Sequence, residues 1–452
     1  MGFFKAYDMR GTFGVDFDIE KVFHIGKALP KVVKGGRWLV GRDCRVTSPD
    51  VSAALVAGLS ASGAEVTDIG PCTTPMVYFF TAEDGYDGSV MVTASHNPPS
   101  DNGLKVSSAG ARPVGYSNGL DRVEKIVSKD KLGTDPALGT IPTSPLGTDP
   151  SALRRYIEWM LARKPDLSGL RYAVDCSCGM ASLIVRELFS DAEVVINGTP
   201  DGRFPAHSPN PLKSEAREQV AAIVRDRGLD VGIIFDGDAD RCMFVDERGT
   251  FVQPDCLVPV VAAACGAGTG DTVIHDVRTS RGAIEAIRRL GAKSLMVPVG
   301  HAFAKPALRE SGAVCGGELA GHYYFRDFHC CDSGELAALM VLGEVVKAKR
   351  GGAAFSEMMR PISGVYANSG EINFRVEDKD AAIARALSAL SAAGLKETSR
   401  SEMDGVRVEY EEGWVSIRKS NTEPYLRLVA ECDCAERLAE WTRTVSEAVG
   451  EG

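Results

Sequence analysis

Positive charge is the first thing this sequence lacks. Lysine and arginine number 51 against 61 aspartates and glutamates, a formal net charge of -10. Bulk nucleic-acid binding and docking on anionic lipid both rest on neutralising many phosphates, so an acidic chain fits neither. A local basic cleft for one phosphate remains compatible with that charge. Long apolar runs are also missing. Val258 to Cys265 is too short to span a bilayer, and Gly-rich sequence follows it. The start, MGFFKAYDMRG, lacks the basic-then-apolar pattern of a secretory signal, which makes a cytoplasmic location the expectation. No cysteine pair has CxxC spacing: Cys176/Cys178, Cys330/Cys331 and Cys432/Cys434 argue against structural zinc. Residues such as Cys242, Cys265 and Cys315 lie in apolar runs and read as reduced core thiols.

What is present is ample apolar material, 44% of 452 residues, which is more than one core serves and implies several domains. Strand-like and helix-like patterns alternate in three blocks. In the first, Arg37 to Val40 and Glu65 to Ile69 read as strands, and Val51 to Ser62 as a helix opened by Ser48-Pro49-Asp50 with a capping hydroxyl. A buried strand over Gly88 to Thr93 follows. In the second, Arg171 to Cys176, Glu193 to Ile196 and Val231 to Phe235 are strands, with helices over Met180 to Phe189 and Ser214 to Arg227. In the third, Thr272 to Val277, Ser294 to Val297 and Ala313 to Cys315 are strands, with helices over Arg281 to Leu290 and His301 to Ser311. The alternation implies α/β domains with parallel pairing. The Gly-, Pro-, Thr- and Asp-rich stretch from Lys131 to Pro150 marks a boundary. The last segment reads instead as α+β, with a hairpin at Glu411-Glu412-Gly413. The expected domains are 1–147, 148–250, 251–365 and 366–452.

Four loops carry chemistry. Asp236-Gly-Asp-Ala-Asp-Arg241 follows an apolar strand, which places three carboxylates at the strand's carboxyl end. Converging carboxylates repel unless a cation neutralises them, and hard oxygen donors suit Mg²⁺. An EF-hand loop does not fit, because Gly237 comes too early and Cys242 to Val245 is an apolar strand. Thr93-Ala-Ser-His-Asn-Pro98 sets Ser95 in a stiff loop, its hydroxyl expected to point outward. That loop is no Gly-x-Ser-x-Gly elbow. Neighbours in an extended segment point to opposite sides, which disfavours a Ser95–His96 dyad. A phosphorylated Ser95 would complete a three-aspartate magnesium site. Gly316-Gly-Glu-Leu-Ala-Gly-His322 offers Glu318 and His322 to sugar hydroxyls. Arg418-Lys-Ser-Asn-Thr-Glu-Pro424, between two expected strands, has the composition of a phosphate cradle.

Together these loops resemble those of the α-D-phosphohexomutase superfamily, phosphomannomutase/phosphoglucomutase group, in order and spacing over essentially the whole chain. Lys5 to Gly11, Asp101 to Lys105 and Val297-Pro-Val-Gly-His301 also match that family's segments. The resemblance implies three related α/β domains with mixed, mainly parallel sheets and a C-terminal α+β domain around a central cleft. It implies Ser95 as phosphoryl carrier, with Asp236, Asp238 and Asp240 holding Mg²⁺ beside a phosphoserine oxygen. Arg10 and Arg241 would stabilise the transferring group, and Lys105 and His301 would serve as acid and base. Glu318 and His322 would bind sugar hydroxyls. Arg418, Ser420, Asn421 and Thr422 would hold the non-reacting phosphate, with Lys305 or Arg278 nearby.

The implied reaction interconverts hexose 1-phosphate and hexose 6-phosphate through a hexose 1,6-bisphosphate, which acts as intermediate and activator, in a monomer or homodimer. Ala320 stands where close relatives have serine, and Ala239 where glycine is common. The Glu-Gln-Ser-Gly-His form of phosphoglucosamine mutases is absent, which favours mannose or glucose phosphates. A glucosamine phosphate mutase, a phosphosugar hydrolase and a non-catalytic sugar-phosphate sensor are the alternatives.

Overall fold

The computed structural model describes residues 2–130, 150–420 and 425–450. The boundary expected between 147 and 148, and the cradle residues Asn421 and Thr422, lie outside the described residues. Four sheets follow one another along the chain. In the first, Arg37–Arg42 lies parallel to Glu65–Pro71 and Gly88–Val92, and Asp101–Ser108 then pairs antiparallel to Gly88–Val92. In the second, Tyr172–Asp175 lies parallel to Val194–Ile196 and Val231–Phe235, and Cys242–Asp246 returns antiparallel. In the third, Thr272–Asp276 lies parallel to Lys293–Val297 and Cys315–Gly317, and Tyr323–Phe325 returns antiparallel.

This shared order positions the site. In each of the three sheets, one functional loop joins the last parallel strand to the first antiparallel one. Residues 93–100 carry Ser95, 236–241 the three aspartates, and 318–322 the Glu318 loop. The fourth sheet is antiparallel, and its strands Gly413–Lys419 and Tyr425–Cys432 flank the Arg418 loop in the same way. The hairpin expected at Glu411 to Gly413 forms, with Glu409 opposite Trp414.

Several elements end where the sequence says they should. Helix Ser214–Arg227 stops at Gly228 and helix His301–Ser311 at Gly312, both left-handed with φ 60° and 65°. Two expectations need correction. Ser48 does not cap its helix: Thr47 is the cap residue, and the Ser48 hydroxyl donates to Asp43 Oδ1 at 2.5 Å. The helix expected over Met180 to Phe189 is a 3-10 turn, Met180–Leu183, and a single α turn, Val185–Leu188. Ile184 breaks it at φ -121°, where a run of β-branched and bulky side chains weakens helical propensity.

One apolar core runs through the first three sheets, from Leu39 through Phe79, Tyr156 and Phe244 to Leu339. Phe79 sits 5.5 Å from Tyr156, 5.5 Å from Trp159 and 6.3 Å from Phe328. Such ring pairs add about 1 kcal/mol each beyond burial, so they join the first and third sheets firmly. The fourth sheet has its own core around Leu390, Ile417, Leu428 and Trp441. Its junction with the third sheet is mostly polar. Arg407 donates to Val277 O at 2.6 Å and Thr279 O at 3.1 Å, and Arg281 donates to Tyr410 O at 2.7 Å and Gly413 O at 2.9 Å. No helix among the described residues is long and apolar enough to cross a membrane. All twelve cysteines are free thiols, eight of them buried.

The same junction stores a pH dependence. Burial, reinforced by Glu431 and Asp276, pushes the Asp255 carboxyl up to about 7. Its Oδ2 still accepts from Ser280 N at 2.9 Å. An unfolded aspartate titrates near about 4, so the folded chain binds the proton more tightly. This group's contribution to stability therefore falls as pH rises from about 4 to about 7 and is constant above. Asp255→Asn keeps the acceptor and removes the titration. Its melting temperature relative to wild type is expected to climb between pH 5 and pH 8, by the equivalent of a few kcal/mol. Parallel melting curves at both pH values, read by calorimetry, would refute this.

Candidate active site

The Ser95 loop leaves its strand under tight local control. Thr93 Oγ1 donates to Asp43 Oδ2 at 2.7 Å and accepts from Ser95 N at 2.9 Å. Ser95 sits at φ 50°, a left-handed conformation that serine adopts at a cost. Its hydroxyl does not point outward as expected. The residue is fully buried and Oγ donates to Asp236 Oδ2 at 2.7 Å, across 141 residues of sequence. The left-handed turn also defeats the alternation argument, for it brings His96 Nδ1 to 3.3 Å from Ser95 Oγ. Burial, with Arg241 and Arg10 nearby, pushes the His96 pKa far down, so that ring is neutral.

The three aspartates converge as expected. Ala239 at φ 62° turns the loop, and one oxygen from each of Asp236, Asp238 and Asp240 lies within 4.8 Å of the others. Gly237 is required there, since a Cβ on it would lie 2.6 Å from Ser95 O. Lys105 Nζ bridges Asp238 Oδ2 at 2.7 Å and Asp240 Oδ2 at 2.5 Å, and Thr74 Oγ1 donates to Asp238 Oδ2 at 2.5 Å. Asp238 Oδ1 and Asp240 Oδ1 are buried without a hydrogen-bond partner. Burial of such oxygens is costly, and a hard divalent cation satisfies them. Burial, then the charges of Asp240 and Asp238, hold the Asp236 pKa well above its ordinary value. Burial pushes Asp240 the same way, but Lys105 and His322 outweigh it and keep its pKa low. The donor set therefore fits a magnesium-type ion.

Arg241 ties the second loop to the third. It forms an isolated antiparallel bridge with His322, and its Nε lies 3.1 Å from His322 Nε2. His322 Nδ1 in turn donates to Glu318 Oε2 at 3.0 Å, and Tyr324 donates to the same oxygen at 3.0 Å. Glu318 Oε1 accepts from Gly300 N at 2.5 Å, which fixes the entry to the His301 helix. His301 is half-buried and its Nδ1 is unpartnered. Burial, then Lys305, Lys105 and His322, push its pKa down to about 3, so the imidazole is neutral. Arg10 donates to Asp8 Oδ2 at 2.6 Å and to Asn97 Oδ1 at 3.0 Å, beside the serine loop.

The outer residues divide. Arg418 pairs with Asp404 at 2.8 Å, and Asp404 accepts from Val299 N at 3.0 Å, which links the fourth sheet to the His301 loop. Ser420 is buried, and its backbone N donates to Tyr425 O at 2.9 Å. Arg278 faces the fourth sheet through Glu371 at 3.3 Å while pairing with Asp276 at 2.6 Å. Lys305 pairs with Asp332 at 2.6 Å, beside Asp240 and His322, and lies over the Tyr78 ring at 3.4 Å.

Sequence reasoning missed Thr74, Asp404, Asp43 and Arg45. The Thr73-Thr74-Pro75 helix start was a usable signal for the first, and the Asp404-Gly405 turn for the second. It also overlooked one Gly-x-Ser-x-Gly, Gly115-Tyr-Ser-Asn-Gly119, which forms an exposed 3-10 turn rather than a strand-to-helix elbow.

Comparison with known proteins agrees over the whole length. The phosphoglucomutase/phosphomannomutase profiles match in order: alpha/beta/alpha domain I over residues 1–133, domain II over 154–249, domain III over 253–362, and the C-terminal domain over 371–448. A protein of Xanthomonas campestris named "Phosphohexose mutases" is 37% identical over 98% of this chain and 97% of its own length. A phosphomannomutase of Escherichia coli is 34% identical over 95% of this chain and 94% of its own. The crystal structure of a phosphoglucomutase/phosphomannomutase family protein from Burkholderia thailandensis superposes with a TM-score of 0.84 at 27% identity, covering 99% of this chain and 96% of that one. The chain belongs to the phosphoglucomutase/phosphomannomutase family and is a mutase, an isomerase.

Proposed function

We propose that this mutase interconverts the 1-phosphate and 6-phosphate of mannose or glucose, with Ser95 as the phosphoryl carrier and a bisphosphorylated sugar as intermediate. The observation that carries the reading is the buried Ser95 Oγ set 2.7 Å from Asp236, within a carboxylate cluster contributed by another sheet. Asp236, Asp238 and Asp240 would hold Mg²⁺. When bound, that ion neutralises charge on the phosphoryl group.

The protein's own residues account for the rest. Arg10 and Lys105 flank the serine loop and supply positive charge to a phosphoryl group on Ser95. Neutral His301 takes a proton from the attacking sugar hydroxyl. Glu318 and His322 hold hydroxyls, and Arg418 with Ser420 grips the phosphate that is not transferring. The intermediate turns end for end, and its second phosphate passes to Ser95. Each transfer makes one ester P–O bond and breaks another, and the departing Ser95 oxygen gains a proton, with Lys105 as the acid, as the sugar hydroxyl loses one to His301. Burial of the site excludes water and so favours transfer over hydrolysis.

Relatives named phosphomannomutase favour mannose phosphate as a substrate. Turnover of mannose 1-phosphate, glucose 1-phosphate and glucosamine 1-phosphate by the purified protein tests the choice. The expected result is at least about tenfold higher kcat/KM for mannose or glucose phosphate than for glucosamine phosphate, the scale of one hydrogen-bonded substituent. A preference for glucosamine phosphate would overturn it. Steady release of inorganic phosphate without isomer would indicate a hydrolase, and no reaction a sensor.

A further inference from the structure

Arg45 is 1% exposed, and its guanidinium holds four backbone carbonyls at once. Nη1 donates to Pro98 O at 2.6 Å and Asp101 O at 2.9 Å, and Nη2 donates to Ser95 O at 2.8 Å and Asn97 O at 2.7 Å. Its Nε donates to Asp43 Oδ2 at 3.1 Å, the oxygen that also receives Thr93 Oγ1. Thr93 in turn accepts the Ser95 N–H. Both peptide groups of the strained Ser95 are thus held, one through Asp43 and Thr93, the other by Arg45 directly.

The outer face of Arg45 is equally constrained. Its guanidinium lies over the Phe204 ring, 5.1 Å from the centroid. Phe204 belongs to the segment between strand Val194–Ile196 and helix Ser214–Arg227, so it comes from the second sheet's side. Phe204 has φ 47°, rare for a bulky side chain and a sign that its surroundings impose the position. Its segment is pinned by His207 against Asp175 at 3.0 Å and by Asp201 N donating to Cys178 O at 2.8 Å. A Cβ on Gly237 would lie 3.5 Å from Phe204 Cζ and 2.6 Å from Ser95 O. The Ser95 carbonyl is therefore clamped between Arg45 and the aspartate loop, and Phe204 supports both.

We propose that Arg45, seated on Phe204, is a positioning residue that fixes the Ser95 loop in register with the Asp236–Asp240 loop. It touches no reacting atom. The inference rests on the phosphoserine reading above. A planar fork with five N–H donors can serve four carbonyls and a carboxylate while stacking on a ring; an ammonium cannot. Among the described residues, none of its hydrogen-bond partners belongs to the Glu318 loop or the Arg418 loop. Loss of Arg45 should therefore harm the transfer step and spare sugar-phosphate binding.

Full-length Arg45→Lys and Phe204→Leu test this, assayed with mannose 1-phosphate and glucose 1-phosphate beside wild type. Arg45→Lys is expected to lose about 100-fold in kcat, the scale of a misplacement near 1 Å. Phe204→Leu should lose about tenfold through the missing cation–π support. KM should stay within about twofold in both, and phosphorylation of Ser95 by hexose 1,6-bisphosphate should slow in the same proportion. Wild-type kcat in either folded variant, or a loss confined to KM, overturns the proposal. If Arg45→Lys fails to fold, Phe204→Leu decides by the same split. Those results leave the phosphoserine reading standing wherever wild type carries phosphate on Ser95. A wild type that turns over without ever carrying it overturns that reading and this inference together.

Discussion

Ser95→Ala is expected to lose at least about a thousandfold in kcat, as removal of a covalent nucleophile does, and its intact mass should lack one phosphoryl group that wild type carries. Among the described residues, Thr93, Thr74 and Ser177 also place hydroxyls near the aspartate loop or beside Ser95, and Ser177 Oγ donates to Phe235 O at 2.6 Å. Thr93 Oγ1 donates to Asp43 and accepts from Ser95 N, so it is a strut of the loop. Thr74 Oγ1 donates to Asp238, the one plausible rival. Ser95 Oγ faces both Asp236 and the neutral His96, and Lys105 and Arg10 lie beside its loop. Thr74 Oγ1 is committed to Asp238 Oδ2, the oxygen that Lys105 Nζ also holds, whereas Ser95 Oγ stands between Asp236 Oδ2 and His96 Nδ1. Thr74→Val is the control: it should keep the added mass. Wild-type turnover in Ser95→Ala, or added mass lost only in Thr74→Val, would move the carrier to Thr74.

Much of this site was legible because its residues cluster in short loops with strong local signals. Asp236 to Arg241 follows an all-apolar strand, and helix His301–Ser311 stops at a left-handed glycine, so both fall where the sequence puts them. The antiparallel strand Asp101–Ser108 was not recognised as a strand. Its Asn102, Lys105 and Ser107 are polar yet buried: Lys105 faces the aspartates, and Asn102 donates to Thr47 and Ser48. Helix Ile19–Val32 contains Pro30, which blurred its signal. Alternation failed at Ser95 and His96 because it presumes extended backbone, and φ 50° there is imposed from outside. Arg45 and Asp404 act through partners tens of residues or more away, or through another sheet, and no local pattern announces such contacts.

Chelation should abolish turnover, and millimolar Mg²⁺ should restore it and raise the melting temperature. The second readout matters because it needs no substrate. Asp238 Oδ1 and Asp240 Oδ1 are buried without a hydrogen-bond partner, and one oxygen from each of the three carboxylates lies within 4.8 Å of the others. Lys105 neutralises part of that charge through Asp238 Oδ2 and Asp240 Oδ2, and Arg241 and His322 approach Asp240 Oδ1 only at 3.9 and 3.6 Å. A divalent ion supplies the remaining compensation to the folded state and finds no equivalent site in the unfolded chain. At about 100 times its dissociation constant it adds about 2.7 kcal/mol, enough for a shift of several degrees. Asp238→Asn removes one charged ligand but keeps a similar shape. It is expected to lose most of the Mg²⁺-induced shift and about a hundredfold in kcat, with its far-UV spectrum unchanged. Asp332→Asn separates the two carboxylate groupings around Asp240, since Asp332 lies on the Lys305 side. It should keep the Mg²⁺ shift in full. A shift lost in Asp332→Asn but kept in Asp238→Asn would place the ion among Asp240, His322 and Asp332, away from Ser95, and would sever the link between cation and carrier on which the transfer chemistry depends.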